Sequence, residues 1–488
     1  MIFYLPENLD LDSLIRNNPP NFRPFKRDKL RYFLHLINVI PLLNKDKLYD
    51  EYTYINARTL QKVIQKYKEY TTYAIEVLQI VECDNQYIPG EKSLGYKFID
   101  KYQTDLISVK VQDFTLRKSL KVAKNRKDTS LKEFEFLTKH FDASKLKIDL
   151  EKVNEFLEIE RNLKLIHSHL VDIDFKTQKP KDPQTQYNHS KMSAERLSQG
   201  QYHLNQDNNV YRFHSNLTNM RSMIRNAITY EGQKLVAVDI KNSQPYLSTV
   251  LLSNSFWAIE KNDASIKLPQ SLSFYKPKAS LFSNLNKGIS ISNIDISERD
   301  SYIMIGEIPQ LLIDKEFNTY INLVVQGQLY EFLQSQFQME TGLNFVGRQE
   351  VKKAVFQVLF TDNRYIGQQS AKPKRLFKKL FPEVYEVFSA IKRQDKTVLP
   401  RLLQSIESYL IVNVIAKRIS IEFPFAPIYT IHDSITTTEE YIDDVERIMK
   451  EELTKAIGYT PSLDRQYWDT ANMDKYINSL HERARKVA

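Results

Sequence analysis

Leu235-Val236-Ala237-Val238-Asp239 runs four apolar residues, two of them valine, straight into a carboxylate. The run reads as a buried strand ending in an acid. Ile240-Lys241-Asn242-Ser243-Gln244-Pro245 follows, and Pro245, which cannot donate to a sheet ladder, is expected to stop the strand. A second stretch of this character lies far downstream, Ile428-Tyr429-Thr430-Ile431-His432-Asp433-Ser434-Ile435, with strand formers on both sides of His432-Asp433. It suits a tight hairpin. Two aspartates at the ends of adjacent strands can hold two divalent ions side by side for in-line phosphoryl transfer. One ion lowers the pKa of the attacking hydroxyl and the other neutralises the leaving pyrophosphate. Mg²⁺ fits, because it takes few carboxylates and keeps waters and phosphate oxygens as ligands; Mn²⁺ is the expected substitute. On their own, two strand-end aspartates more often mark a structural cap or a turn.

Between them, Arg348, Lys352, Phe356 and Phe360 recur every four residues in Gly347–Phe360. Positions i and i+4 share a helix face, so one stripe presents two cations and then two rings. Cations bind a triphosphate and rings stack on a base and sugar. The bland alternative is a core helix whose cations snorkel.

In this order the three segments resemble the polymerase signatures of family A DNA polymerases, the bacterial DNA polymerase I type, and of the related single-subunit phage-type RNA polymerases. The Asp239 strand resembles the first palm motif, the Arg-x3-Lys-x3-Phe-x3-Phe helix the fingers motif, and Ile431-His432-Asp433-Ser434 the second palm motif. Tyr211-Arg212-Phe213-His214-Ser215-Asn216-Leu217-Thr218-Asn219 with Arg225 resembles the family's segment that meets the primer–template. Gln404-Ser405-Ile406-Glu407-Ser408 with Lys417-Arg418 resembles the helix that touches template and primer. The match covers about residues 205–470.

The resemblance implies an α+β right hand: an antiparallel-sheet palm, helical fingers and a helical thumb. It implies residues 226–488 as palm, with fingers at about 303–400, and 116–225 as a thumb-like region and linker. Asp239 and Asp433, with the backbone carbonyl of Ile240, would bind two catalytic Mg²⁺ ions. Arg348 and Lys352 would hold the triphosphate, and Lys352 could protonate the pyrophosphate. Phe356 and Phe360 would lie against the nucleotide and the nascent pair. Arg212, Asn216, Asn219, Arg225, Gln404, Glu407 and His432 would contact primer and template. The implied partners are a DNA primer–template and nucleoside triphosphates, with room for a replication accessory protein and no membrane.

Three departures from the family bear on the sugar. Gln244 stands where family A DNA polymerases carry a glutamate that blocks a ribose 2′-OH, and its bulk favours dNTPs. Phe360 replaces the usual tyrosine, which argues against strict rNTP choice. His-Asp-Ser, in contrast, resembles the RNA polymerases. The first 204 residues show no recognisable exonuclease carboxylate set, so proofreading is not expected.

The chain has 488 residues, 42% of them hydrophobic, enough for two to four domains with a sizeable core. One cysteine, Cys83, excludes a disulfide framework and a Cys-rich zinc site. Glycine is scarce, at 11 residues, and neither G-x-x-x-x-G-K-[ST] nor G-x-G-x-x-G occurs, which excludes a P-loop NTPase and an ordinary Rossmann dehydrogenase. Lys+Arg at 69 against Asp+Glu at 60 leaves a net charge of +9, a lean toward a polyanionic partner. The opening Met1–Glu7 lacks the features of a signal peptide. No apolar run approaches the ~18–20 residues of a membrane span; the most apolar, Tyr409–Ala416, is interrupted by Asn413. A soluble, cytoplasmic protein is expected.

Residues 59–82 place apolar side chains at helical spacing, and Ser93–Ile99 reads as a short strand after a turn-rich stretch. Helices followed by a hairpin suit a winged-helix domain over residues 1–115, or a helical subdomain with no DNA role. Residues 116–170 read as charged helices with Lys-rich faces (Lys118, Lys121, Lys124, Arg126, Lys127), 174–209 as a linker or mobile loop, 253–301 as a surface insertion, and the chain from about 303 to Ile421 as mostly helical.

The expected function is thus a template-directed DNA polymerase without proofreading, of the kind carried by a phage, plasmid or other mobile element. An RNA polymerase or primase on the same scaffold is the alternative. A non-catalytic winged-helix replication initiator or regulator is the alternative from another class; it leaves the fingers stripe and both aspartates without a role.

Overall fold

A computed structural model describes residues 1–43, 48–49, 51–89, 92–120, 129–174, 179–207, 209–257, 308–341, 348–393 and 395–486. It is a mixed helix-and-sheet structure whose sheets are built from antiparallel pairs. The chain forms two compact units: Met1–Asn205 with His214–Leu235 and Tyr467–Ala488, and Gln206–Phe213 with Val236–Gln466.

In unit one, β1 (Ile2–Pro6) pairs with the distant β6 (Leu106–Lys110), Ile2 opposite Lys110, and closes the first 110 residues on themselves. Helix α1 (Arg27–Leu43) buries Leu30, Phe33, Leu34 and Ile37 in the core beneath. A four-stranded sheet runs β2 (Leu48–Tyr49), β3 (Tyr52–Tyr54), β5 (Gly95–Phe98), β4 (Val81–Cys83). The expected strand at 93–99 is therefore β5, and its hairpin belongs to a larger sheet. Gly95 is required there: a Cβ would stand 2.8 Å from the Tyr54 ring. The helix expected over 59–82 is broken, with helical turns at Ala57–Gln61 and Tyr67–Thr72, because Lys66 takes a left-handed φ of 59°.

Helices α2 (Leu150–Ile166) and α3 (Pro183–Ser198) pack together, and the C-terminal helix Thr470–Arg485 lies on α2. The expected linker over 174–209 is thus corrected. Asp182 caps α3 by accepting from the Thr185 N–H at 2.7 Å, Pro183 sits at the first helical position, and Tyr187, Met192, Ala194 and Leu197 are buried. Residues 467–488 group with unit one, where Met473, Ile477 and Leu480 are buried, and residues 206–213 group with unit two. Of the Lys-rich faces only Lys118 is described; Lys121, Lys124, Arg126 and Lys127 lie outside the described residues, as does most of the expected insertion at 253–301.

Strands β7 (Leu146–Ile148) and β8 (Ile228–Tyr230) pair, and β8 turns through Glu231-Gly232, both at positive φ, into β9 (Gln233–Ile240). Positive φ at both turn residues matches the twist of a tight hairpin. Strand β9 continues into unit two, where the order is β10 (Tyr429–Ile431), β11 (Ser434–Thr438), β9. Every residue of β10 and β11 is buried. A further strand, Leu463–Tyr467, also pairs with β9. The other described elements of unit two are mainly helical, as expected from about 303 onward: α4 (Ser243–Ser248), α5 (Asn318–Val325), α6 (Leu329–Thr341), α7 (Arg348–Phe360), α8 (Lys372–Leu380), α9 (Pro382–Ile391), α10 (Val398–Ser408), α11 (Lys417–Glu422) and α12 (Ile442–Ile457).

Val398–Glu422 is one helical run of 25 residues, long and apolar enough to cross a membrane by length and composition. That corrects the expectation that no run reaches this length. The helix passes for shorter in sequence because Arg401, Glu407 and Asn413 interrupt it. Within the unit 67% of its apolar window is buried, with Leu399, Leu403, Ile411 and Ile419 fully so, as in a core helix.

Candidate active site

Strand β9 has four consecutive buried residues, Leu235–Val238, then half-buried Asp239 and buried Ile240. Pro245 does not end it. The strand stops at Ile240, Asn242 turns the chain with a left-handed φ of 54°, and Pro245 lies in the first turn of α4, where a missing N–H costs nothing.

The β10–β11 hairpin closes with Ile431 opposite Ser434, leaving His432 and Asp433 as its two turn residues. His432 is exposed and takes a φ of 56°, a conformation costly for a residue with a Cβ. Asp433 is drawn inward. Ser243, four residues beyond Asp239, lies against the Asp433 carboxylate. Asp239, near the end of β9, and Asp433, in the turn that opens the neighbouring β11, therefore sit at the same end of the two strands. Burial raises the Asp433 carboxyl above the ordinary carboxylate range, while the Ser243 hydroxyl and the charges of Arg212 and Lys352 act in the opposite direction. Those same cations stand within electrostatic reach of the acid.

Behind this end of the sheet, α10 contributes Glu407, whose side chain is 2% exposed. Its Oε1 accepts from two nitrogens of Arg212, Nε at 3.0 Å and the second guanidinium nitrogen. Its Oε2 accepts from Nε2 of Gln244 on α4. The Ser408 hydroxyl donates to the Tyr211 carbonyl at 2.6 Å, and the Arg212 N–H donates to Asp207, so the Arg212 segment is fixed at its backbone as well. Burial pushes the Glu407 carboxyl up to about 7, Arg212 opposes the shift, and the negative charge of Asp433 adds to it.

Helix α7 carries the expected stripe. Val351, Ala354, Val355, Val358 and Leu359 are buried on one side, whereas Lys352 is exposed and Phe356 and Phe360 are half-buried. The Lys352 ammonium stands 5.7 Å from the Phe356 ring centroid, and the Phe356 and Phe360 centroids are 5.2 Å apart. Arg348 opens the helix; its side chain lies outside the described residues. Two buried lysines satisfy the far end. Lys374 donates to the Asp362 carbonyl at 3.0 Å, and Lys392 to the carbonyls of Val358 and Thr361. These carbonyls are the acceptors a helix leaves open at its C-terminus, where positive charge is favoured. Burial and the neighbouring Lys374 lower the Lys392 ammonium to about 7.

Unit two thus brings together Asp239, Ile240, Asp433, Gln244, Glu407, Arg212 and Lys352. Glu407, expected to face primer or template, is instead an internal anchor, and Arg212 and Gln244 are held by it. Gln404 is half-buried on α10. The remaining expected contacts lie in unit one and serve its fold. Asn216 accepts from the His203 N–H at 2.7 Å and donates to the Gln201 carbonyl, Asn219 donates to the Leu43 carbonyl, and the Arg225 guanidinium stands 5.8 Å from the Trp468 ring. Sequence reasoning missed Ser243, Lys374 and Lys392. Ser243 was within reach as the neighbour of Gln244; the lysines look like any surface lysines until the helix ends are placed.

Among the described residues no group of three or more His, Cys, Asp or Glu side chains could hold a metal. A pair of aspartates with one backbone carbonyl is a donor set that suits Mg²⁺, which takes one or two carboxylates. Asp433 is half-buried in the hairpin turn, and a carboxylate held there fits a place beside a cation.

No protein-family model matches the sequence, and no curated protein matches it. Among solved structures the chain is similar to the POL domain of Pol1 from M. smegmatis in complex with DNA primer-template and dNTP. The identity is 12%, over 73% of this chain and 74% of that one, with a TM-score of 0.33. A likeness of that size fixes neither fold nor function, and the chemistry rests on this chain's own residues.

Proposed function

We propose that this chain is a template-directed nucleotidyltransferase, a DNA polymerase without proofreading that extends a primer 3′-OH with dNTPs. The observation that carries it is the convergence in unit two of Asp239 on β9 and Asp433 in the turn before the neighbouring β11 with the Lys352–Phe356–Phe360 stripe, Lys352 within electrostatic reach of Asp433. In this reading the β9–β11 sheet is the palm and helices α5–α9 the fingers. Asp239, Asp433 and the Ile240 carbonyl would hold Mg²⁺, which when bound activates the attacking hydroxyl and steadies the leaving pyrophosphate. Lys352, exposed and cationic, binds the triphosphate and can hand a proton to the pyrophosphate. Phe356 and Phe360 offer faces to the base and sugar. The side chain of Gln244 stands beside the sugar and crowds a 2′ substituent. DNA primer–template and dNTPs are the proposed partners.

A single-subunit RNA polymerase or primase on the same scaffold is the second reading, favoured by His432-Asp433-Ser434. Extension of a labelled DNA primer on a DNA template with Mg²⁺, with dNTPs and rNTPs in parallel, separates the two. Asp239→Ala and Asp433→Ala should each abolish extension while circular dichroism and DNA binding stay at wild-type level. Full activity in either variant sinks the metal assignment.

A further inference from the structure

Strand β4 ends the four-stranded sheet of unit one and pairs with β5 on one side. Glu82 lies opposite Lys97. Flanking that pair, the Ile99 N–H donates to the Ile80 carbonyl and the Asp84 N–H to the Gly95 carbonyl. In an antiparallel ladder the alternate residues face outward. The backbone N–H and C=O of Val81 and Cys83 therefore point away from β5, and among the described residues no hydrogen bond meets them. A cavity of about 340 Å³ is lined by Val81, Cys83 and Glu82 together with Ile75, Gln79 and Tyr52. Val81 and Cys83 belong to one face of the strand and Glu82 to the other, so this cavity lies at the edge between the faces. An uncovered edge of this kind is a template for another strand.

We propose that β4 is a docking strand. It takes, antiparallel, an extended segment of a partner protein that reads apolar, Lys or Arg, apolar. The two apolar residues lie opposite Cys83 and Val81, exchange N–H···O bonds with them, and set their side chains on the same face. The cation lies opposite Glu82. The charge of the edge selects it. Glu82, 47% exposed, and Glu51, 69% exposed, share Lys97 at 3.5 Å each, which leaves one negative charge over. The Tyr52 hydroxyl donates to Glu82 Oε2 at 3.4 Å and steadies that carboxylate at the cavity. The same charge disfavours a second copy of this chain. Two β4 edges meeting antiparallel, Val81 on Cys83, would set Glu82 against Glu82, and like charges directly opposite are destabilising. Left-handed residues bound the strand, Gln79 with φ 49° and Asn85 with φ 51°, so recognition is confined to this three-residue pattern.

The test uses the full chain and a phage-displayed library of random twelve-residue peptides. Selection should enrich the apolar, Lys or Arg, apolar pattern. The best peptide, labelled with fluorescein, should bind by anisotropy and slow alkylation of Cys83 by iodoacetamide. A methyl group on the backbone nitrogen of either apolar residue should weaken binding about tenfold, through loss of one hydrogen bond. The same change on the nitrogen of the cation, which points away from β4, should leave affinity unchanged. Cys83→Pro deletes an outward N–H and no ladder bond, so it should also weaken binding about tenfold at wild-type circular dichroism. Glu82→Lys should weaken it about tenfold through charge, and it keeps the proposal falsifiable if Cys83→Pro does not fold. No enrichment, a pattern without the central cation, methylation effects that do not alternate, or equal affinity in Glu82→Lys overturns the inference. So does a dimer in sedimentation velocity that Cys83→Pro dissociates, because a second copy then fills the edge. The nucleotidyltransferase reading rests on unit two and stands or falls separately.

Discussion

Glu407→Gln should erase a pH dependence of stability. The carboxyl of Glu407 is raised from 4.5 to about 7, chiefly by burial. In the unfolded chain it returns to its ordinary range. Between these two values the folded state holds a proton that the unfolded state has released. The stabilisation from that proton is therefore fully present below about pH 4.5 and is lost as pH rises through about 7. A gap of roughly 2.5 pKa units at ~1.4 kcal/mol each makes the loss on the order of 3 kcal/mol. Arg212 stays cationic throughout, so it shifts the level but not the slope. Urea unfolding from pH 5 to 8, with a chelator present, measures it. Trp468→Phe in both proteins leaves Trp257 as the fluorophore, and Trp257 lies in unit two with Glu407. Subtracting the variant's curve from the parent's cancels every other titrating group. A difference that falls with rising pH by that amount supports the buried anchor; a flat difference refutes it.

Lys352→Ala should raise KM for the nucleotide tenfold or more and leave primer–template affinity unchanged, as read by steady-state kinetics beside fluorescence anisotropy; a change in template affinity alone would take the triphosphate role from α7. Asp182→Ala should lower the stability of unit one by about 1 kcal/mol through loss of the α3 cap, measured by denaturant midpoint at constant slope, and Asp182→Asn should recover most of it. If alanine and asparagine behave alike at this position, the cap is not what holds α3.

What the sequence disclosed follows from the range over which its signals act. Strand β9, the His432-Asp433 hairpin and the α7 stripe are local patterns, complete within eight to fourteen residues, and all three stand where periodicity and turn chemistry put them. Helix α3 escaped because its buried face includes Ser190, Ser193 and Ala194, small residues that a hydrophobicity pattern does not count. The long α10–α11 run escaped for the opposite reason: Glu407, a charge inside an apolar stretch, reads as an interruption until its partners are known. Those partners, Arg212 and Gln244, are 195 and 163 positions away, and no spacing rule joins them.

The same distance explains why so many residues were assigned to the substrate. Motif by motif, Arg212, Gln244 and Glu407 each look free to meet primer, template or sugar. Folded, they satisfy one another, as buried polar groups must in the absence of a ligand. Only what remains open after that pairing is available for recognition. What stays exposed beside this network is the ammonium of Lys352 on α7. Substitution of Glu407 therefore tests an internal anchor, and substitution of Lys352 tests a group free to meet the nucleotide.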